Sequence, residues 1–156
     1  MPALREALTI AGFGDVRTYV QSGNVVLSSD LSSAKLARKC ERLIAEEFGF
    51  DIAVVVRTQT ELAKVVALNP LGKVAKNPKR YQVSFLDGKL ASEVMKKLEA
   101  AAVRPEQLVV SGREAYAWHP EGVARSKLWS LLAGKGLGVT ATARNWTTVT
   151  KLLELA

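Results

Sequence analysis

The sequence predicts an α+β protein of two ferredoxin-like halves, each an antiparallel sheet with helices packed on one face. Two observations predict it. The first is element order. Helical and strand-like apolar spacings alternate as α-β-β-α-β-α over residues 1–68 and as β-α-β-β-α-β-α over residues 81–156, with a basic Pro/Lys connection at 69–80 between them. The second is a recurring hairpin. "YVQSGNVVLS" and "LVVSGREAYAW" each carry Ser-Gly at the turn, Ser22-Gly23 and Ser111-Gly112, 89 residues apart. A repeated order at a fixed offset points to internal duplication of a βαββαβ unit. The two halves differ in one respect. The second opens with a strand, and the first opens directly on a helix. In this topology the opening strand lies inside the sheet, so the first half is expected to have an empty strand position. A second copy or a donated strand would fill it.

The elements follow from residue spacing. Leu4, Leu8 and Ala11 share one helical face over residues 2–12, and "GFG" stops that helix. "VRTYV" and "NVVLS" alternate as strands around the tight turn "QSGN". "SSAKLARKCERLIAEEFG" has serines at its front as caps and Gly49 at its end. "DIAVVVRT" is β-branched and apolar, which predicts a buried strand. "TQTELAKVVALN" is a helix with Thr60 as the expected cap. In the second half, "RYQVSFLD" is a strand, "KLASEVMKKLEAA" a helix, and "QLVVSG" with "EAYAWHP" a hairpin around Gly112. "SKLWSLLAGKG" is a helix ended by glycines, "VTATARN" is extended, and the last helix starts at or just after Asn145.

Composition removes several function classes. The chain has 156 residues, enough for one compact body or two small ones. Mean hydropathy is +0.07 and no apolar run approaches the roughly 18 residues of a membrane span. Arg5 and Glu6 stand where a secretory signal would be apolar, so a cytoplasmic protein is expected, with no membrane partner. The single cysteine, Cys40, lies in register with Leu36, Leu43 and Ile44 and is expected in a helix core. One histidine and one cysteine leave no His/Cys metal cluster, and no cofactor motif is present: "GFG" follows a helix, not a strand. A Ser-His-Asp triad would rest on His119 alone, which is expected to be an ordinary strand-end residue. Catalytic residues are therefore left unassigned.

The net charge of +7 is unevenly placed. Residues 1–68 hold eight Lys/Arg and eight Asp/Glu; residues 69–156 hold fourteen and seven. Concentrated positive charge suggests an anionic partner, although it also serves solubility. Two helix starts carry the wrong sign. A helix N-terminus prefers acids in its first turn. In "GVARSKLW", Arg125 and Lys127 instead flank Ser126, the expected cap. In "TARNW", Arg144 precedes a helix capped by Asn145 or Thr147, with Lys151 on the same polar face. A bound phosphate or carboxylate would turn this unfavourable charge into a favourable one. Trp146 falls at i, i+3, i+7 with Val149 and Leu153, so it either packs the last helix or offers a stacking surface. A secondary candidate is the polar turn Gln21, Ser22 and Asn24, which tight-turn geometry alone would explain.

The segments "VRTYVQSGNVVLSS", "GVARSKL" and "LGVTATARNWTTVTKLLEL", in that order, resemble the bacterial family known as domain of unknown function 1697. The resemblance runs over nearly the whole chain, and it implies two ferredoxin-like halves but no established activity. Family members usually open with a strand and a loop resembling Arg-Gly-Ile-Asn-Val-Gly-Gly, which nothing in this sequence matches. The expectation is a protein that binds a small anionic, phosphate-bearing ligand or a nucleic-acid backbone through Arg125, Ser126, Lys127, Arg144, Asn145, Trp146 and Lys151. Two alternatives stand beside it. One is an enzyme acting on a small phosphorylated substrate; the other is a structural or interaction protein in which these residues only cap helices.

Overall fold

In the computed structural model, residues 2–19, 23–134 and 136–156 are described. The chain falls into two compact units: Met1–Leu62 with Lys151–Ala156, and Ala63–Thr150. It is a mixed α/β protein with two antiparallel sheets.

The first unit contains α1 (Pro2–Ile10), β1 (Gly14–Tyr19), β2 (Asn24–Ser28) and α2 (Ser33–Phe48). The ends of α2 are where the sequence puts them. The Ser32 hydroxyl accepts from the Lys35 amide, and Gly49 closes the helix with φ 72°, a left-handed conformation that glycine enters without a Cβ penalty. Cys40 packs with Leu8 and Phe13 at the centre of a small core, which Val16, Val25, Leu27 and Val54 flank. Burial pushes the Cys40 thiol pKa up, so it is a poor thiolate. β1 and β2 pair antiparallel as a two-stranded sheet.

Two expectations fail in this unit. Residues 51–58 form no strand, and 51–53 are exposed rather than buried. A strand needs a neighbouring backbone, and β-branched composition cannot supply one. Here the Val54 amide donates instead to the Glu41 carboxylate, at 3.0 Å. The cap of α3 (Gln59–Leu68) is also Thr58, not Thr60. Thr58 Oγ1 accepts from the Glu61 amide at 3.1 Å, and Glu61 Oε1 accepts from the Thr58 amide at 2.9 Å. That is the reciprocal capping box, two residues earlier than expected.

The second unit holds a four-stranded sheet. Its strands are β3 (Tyr81–Leu86), β4 (Gln107–Ser111), β5 (Glu114–Trp118) and β6 (Ala141–Asn145), in the spatial order β4-β5-β3-β6. Its helices are α4 (Ser92–Ala101), α5 (Lys127–Ala133) and the start of α6 (Trp146–Leu155). A single 3-10 turn, Pro78–Arg80, leads into β3. Gly112, at φ 59°, turns the β4–β5 hairpin.

Register fixes which side chains share a face. Gln82, Ser84 and Leu86 stand opposite Ala117, Ala115, Asn145, Ala143 and Ala141 across the two flanking strands. Leu86, Ala115 and Ala117 of this face pack with Leu98 of α4 and with Leu128 and Leu132 of α5. Alanine at the strand positions lets the helices approach closely, and each fully buried leucine contributes roughly 2 kcal/mol. The opposite face presents Tyr81, Val83, Phe85, Tyr116, Thr142 and Arg144. Residues 65–71 cover part of it. The Tyr116 hydroxyl donates to the Val65 carbonyl, and the Tyr81 hydroxyl donates to Asn69 Oδ1 and accepts from the Leu71 amide. Both phenols are buried, and burial above all pushes their pKa values up.

Candidate functional site

The start of β3 is the end of the sheet where the candidate residues gather. Tyr81 pairs with Trp118 at the end of β5, Trp118 pairs with Gln107 at the start of β4, and Gln82 pairs with Asn145 at the end of β6. So the segments before β4, after β5 and after β6 all emerge together. The 3-10 turn joins them, packed against β6. Arg80 is held there from two sides. Its carbonyl accepts from the His119 amide, and its guanidinium donates to the Pro120 carbonyl.

At the centre lies a buried polar cluster: Glu106, His119 and Ser126. His119 is fully buried, and its Nδ1 is 2.6 Å from Glu106 Oε2. The Ser126 hydroxyl donates to the same oxygen at 2.6 Å and accepts from the Trp129 amide at 3.0 Å. Trp129 meets the His119 ring edge-on, with centroids 5.9 Å apart. His119 Nε2 is buried without a hydrogen-bond partner among the described residues.

This differs from a nucleophile-activating triad. There the serine would sit at one imidazole nitrogen and the acid at the other. Here both converge on the Nδ1 side, with Ser126 Oγ 3.3 Å from Nδ1, and the serine proton points at the carboxylate. Ser126 is buried, and its proton is directed at Glu106 rather than at the imidazole. The arrangement anchors α5. Glu106 supplies the negative charge that the first turn of α5 lacks, from 20 residues upstream.

The remaining candidates fall as follows. Arg125 and Lys127 are exposed on either side of buried Ser126, and neither pairs with a carboxylate among the described residues. Asn145 Oδ1 accepts from the Thr148 amide at 2.9 Å and so caps α6. Arg144 points to the other face of the sheet. Its guanidinium folds back on Thr142 Oγ1 at 2.7 Å and the Ala143 carbonyl at 2.8 Å, and burial lowers its pKa. Arg144 and the Arg125 segment therefore share one end of the sheet but flank it from opposite sides. Trp146 stacks on Tyr81, with centroids 4.7 Å apart and planes 19° from parallel. Lys151 groups with the first unit, 3.4 Å from Glu154. Of the turn candidates, Gln21 and Ser22 lie outside the described residues. Asn24 is buried, and its amide donates to the Tyr19 carbonyl at 3.0 Å, closing the hairpin. A shallow cleft of about 360 Å³ in the first unit, bordered by Phe13, Ser28, Asp30 and Lys39, includes none of the candidates.

Fold and site together define an α+β protein of two antiparallel sheets, one ending in exposed cations beside a polar cluster built on a single carboxylate. The chain belongs to the family described as "Protein of unknown function (DUF1697)", whose model matches residues 1–116. That match stops short of the Arg125 and Arg144 segments. No curated protein is similar enough in sequence to count as a relative. Among solved structures, the conserved bacterial protein SP0830 from Streptococcus pneumoniae is similar in fold, with a TM-score of 0.79 at 22% identity, over 99% of this chain and 87% of that one. No helix among the described residues is long and apolar enough to cross a membrane.

Proposed function

We propose that the protein binds an anionic, phosphate-bearing ligand at the basic rim of its second unit. One observation carries this reading. Arg125 and Lys127 project into solvent beside a helix start, with no carboxylate paired to either among the described residues, while Glu106, the acid bonded to Ser126 between them, is spent inward on His119 and Ser126. Ser126 and Asn145 then position backbone, and the exposed cations do the capture. The test is thermal stability of the wild type and of Arg125→Ala/Lys127→Ala in inorganic phosphate and in mononucleotides. A ligand at about ten times its Kd adds roughly 1.4 kcal/mol, a shift of several degrees. The shift is expected in the wild type and lost in the variant. Equal shifts in both, or none, would remove the reading.

A second reading concerns the first unit, which we take as the partner of the second in a ferredoxin-like duplication. β1 and β2 correspond to β4 and β5, and residues 53–57 to β6. In such a duplication the counterpart of β3 would lie between them; among the described residues no strand occupies that place, and residues 51–58 pair with none. Val54 nonetheless packs on the same core as Val25 and Leu27 of β2. A strand donated by a second copy would fill this position. The expected result is a dimer in sedimentation, with slow amide exchange at residues 53–57. A monomer with fast exchange there overturns it.

A further inference from the structure

We infer that the basic rim of the second unit is a docking surface for the phosphodiester backbone of a nucleic-acid duplex, bound without regard to base sequence. This rests on the anion reading above and narrows the ligand.

The first support is the spread of charge. Exposed Lys79, Arg80, Arg104, Arg125 and Lys127, with half-buried Arg144, all sit at the end of the sheet where β3 starts. Glu106 and Glu121 are the acids of the same segments, and Glu106 is engaged within the cluster. The other end of the strands carries Asp87, Lys89, Arg113 and Glu114, so both signs are represented equally there. The excess charge is thus a property of one end.

The second support is that the cations are kept apart. Arg104 precedes β4 at one edge and Arg144 lies near the end of β6 at the other, and these strands are three spacings, or about 14 Å, apart. Two of the heads are also held in place: Arg80 on the Pro120 carbonyl, and Arg144 on Thr142 and Ala143. One phosphate group cannot touch cations distributed this way. A duplex carries a charge about every 1.7 Å along its axis and meets them together.

The third support is that most of the rings near this rim are engaged. Single-strand binders depend on aromatic faces that stack on bases. Here Tyr81 is buried against Trp146, and Trp129 is set against His119. What remains for a ligand, beside the half-buried Trp118 at the end of β5, is mainly charge, which suits backbone contact.

The experiment is fluorescence anisotropy with a labelled duplex of about 20 base pairs, titrated between roughly 50 and 200 mM salt. The expected slope of log K against log salt is about −4, since each phosphate contact contributes about −0.9. Arg125→Ala/Lys127→Ala reduces its magnitude by about 2. Lys89→Ala/Arg113→Ala removes the same charge at the opposite end of the strands and leaves the slope unchanged. Equal losses in the two double variants overturn the inference, as does equal or tighter binding of a single strand of the same length. If phosphate stabilises the protein but the duplex does not bind, the inference fails and the anion reading stands. If neither ligand acts, both fall.

Discussion

Glu106→Ala is expected to destabilise the second unit by about 3 kcal/mol. The loss is large because one carboxylate oxygen serves two donors. Without it, the Ser126 hydroxyl and His119 Nδ1 remain where they are, 8% and 0% exposed, with only each other at 3.3 Å. An unsatisfied buried polar group costs about 1–3 kcal/mol, and the long contact between the two makes up for only part of the two short bonds lost. The start of α5 also loses the negative charge that Glu106 sets beside its N-terminal dipole. Tryptophan fluorescence during denaturant unfolding follows this unit alone, because Trp118, Trp129 and Trp146 all lie within it. Glu106→Gln keeps an acceptor for Ser126 and is expected to lose less than half as much. A midpoint unchanged in Glu106→Ala would mean that water enters and replaces the carboxylate.

Trp146→Ala is expected to cost a similar amount, about 3 kcal/mol. The indole covers Tyr81, which is only 1% exposed, and the stacked pair contributes beyond its buried area. Uncovering Tyr81 also wets the bonds its hydroxyl makes to Asn69 and Leu71. Trp146→Phe retains a ring over Tyr81 and should recover most of the stability. Both variants should leave the salt slope of duplex binding unaltered. A Trp146→Ala protein of normal stability that binds nucleic acid poorly would instead give the indole a ligand-contacting role.

The helices and strands were legible wherever spacing and caps agreed. Ser32, Gly49, Gly112 and Asn145 all act as their chemistry suggests, because capping and turn formation are local. Residues 51–58 were misread because strand formation is not local: composition states readiness to pair, and the partner must come from elsewhere. The side-chain arrangement at the site was only partly legible. Ser126 was expected as a cap, and it is one. That Arg144 and Asn145 face opposite sides of the sheet follows from the period of two, once β6 is accepted as paired through Asn145.

Glu106 was missed, although a signal for it existed. The hairpin around Gly112 pairs Gln107 with Trp118. Continuing that register by one pair sets Glu106 opposite His119. The histidine without a visible partner had one across the hairpin. Its bond to Ser126 was harder to foresee, since it depends on how the loop from residue 119 to 126 returns to the sheet.

The shared carboxylate constrains how this protein can change over generations. Glu106, His119 and Ser126 belong to three different segments but to one hydrogen-bonded group, so their substitutions do not add independently. A lineage that loses one member is left with stranded polar atoms and a selective pressure to change the other two. The accessible end points are all three residues together or an apolar set that replaces them together. Lys79, Arg104, Arg125 and Lys127 stand outside that group. They can be gained or lost singly, so charge at the rim is free to drift or be tuned while the cluster beneath it stays fixed.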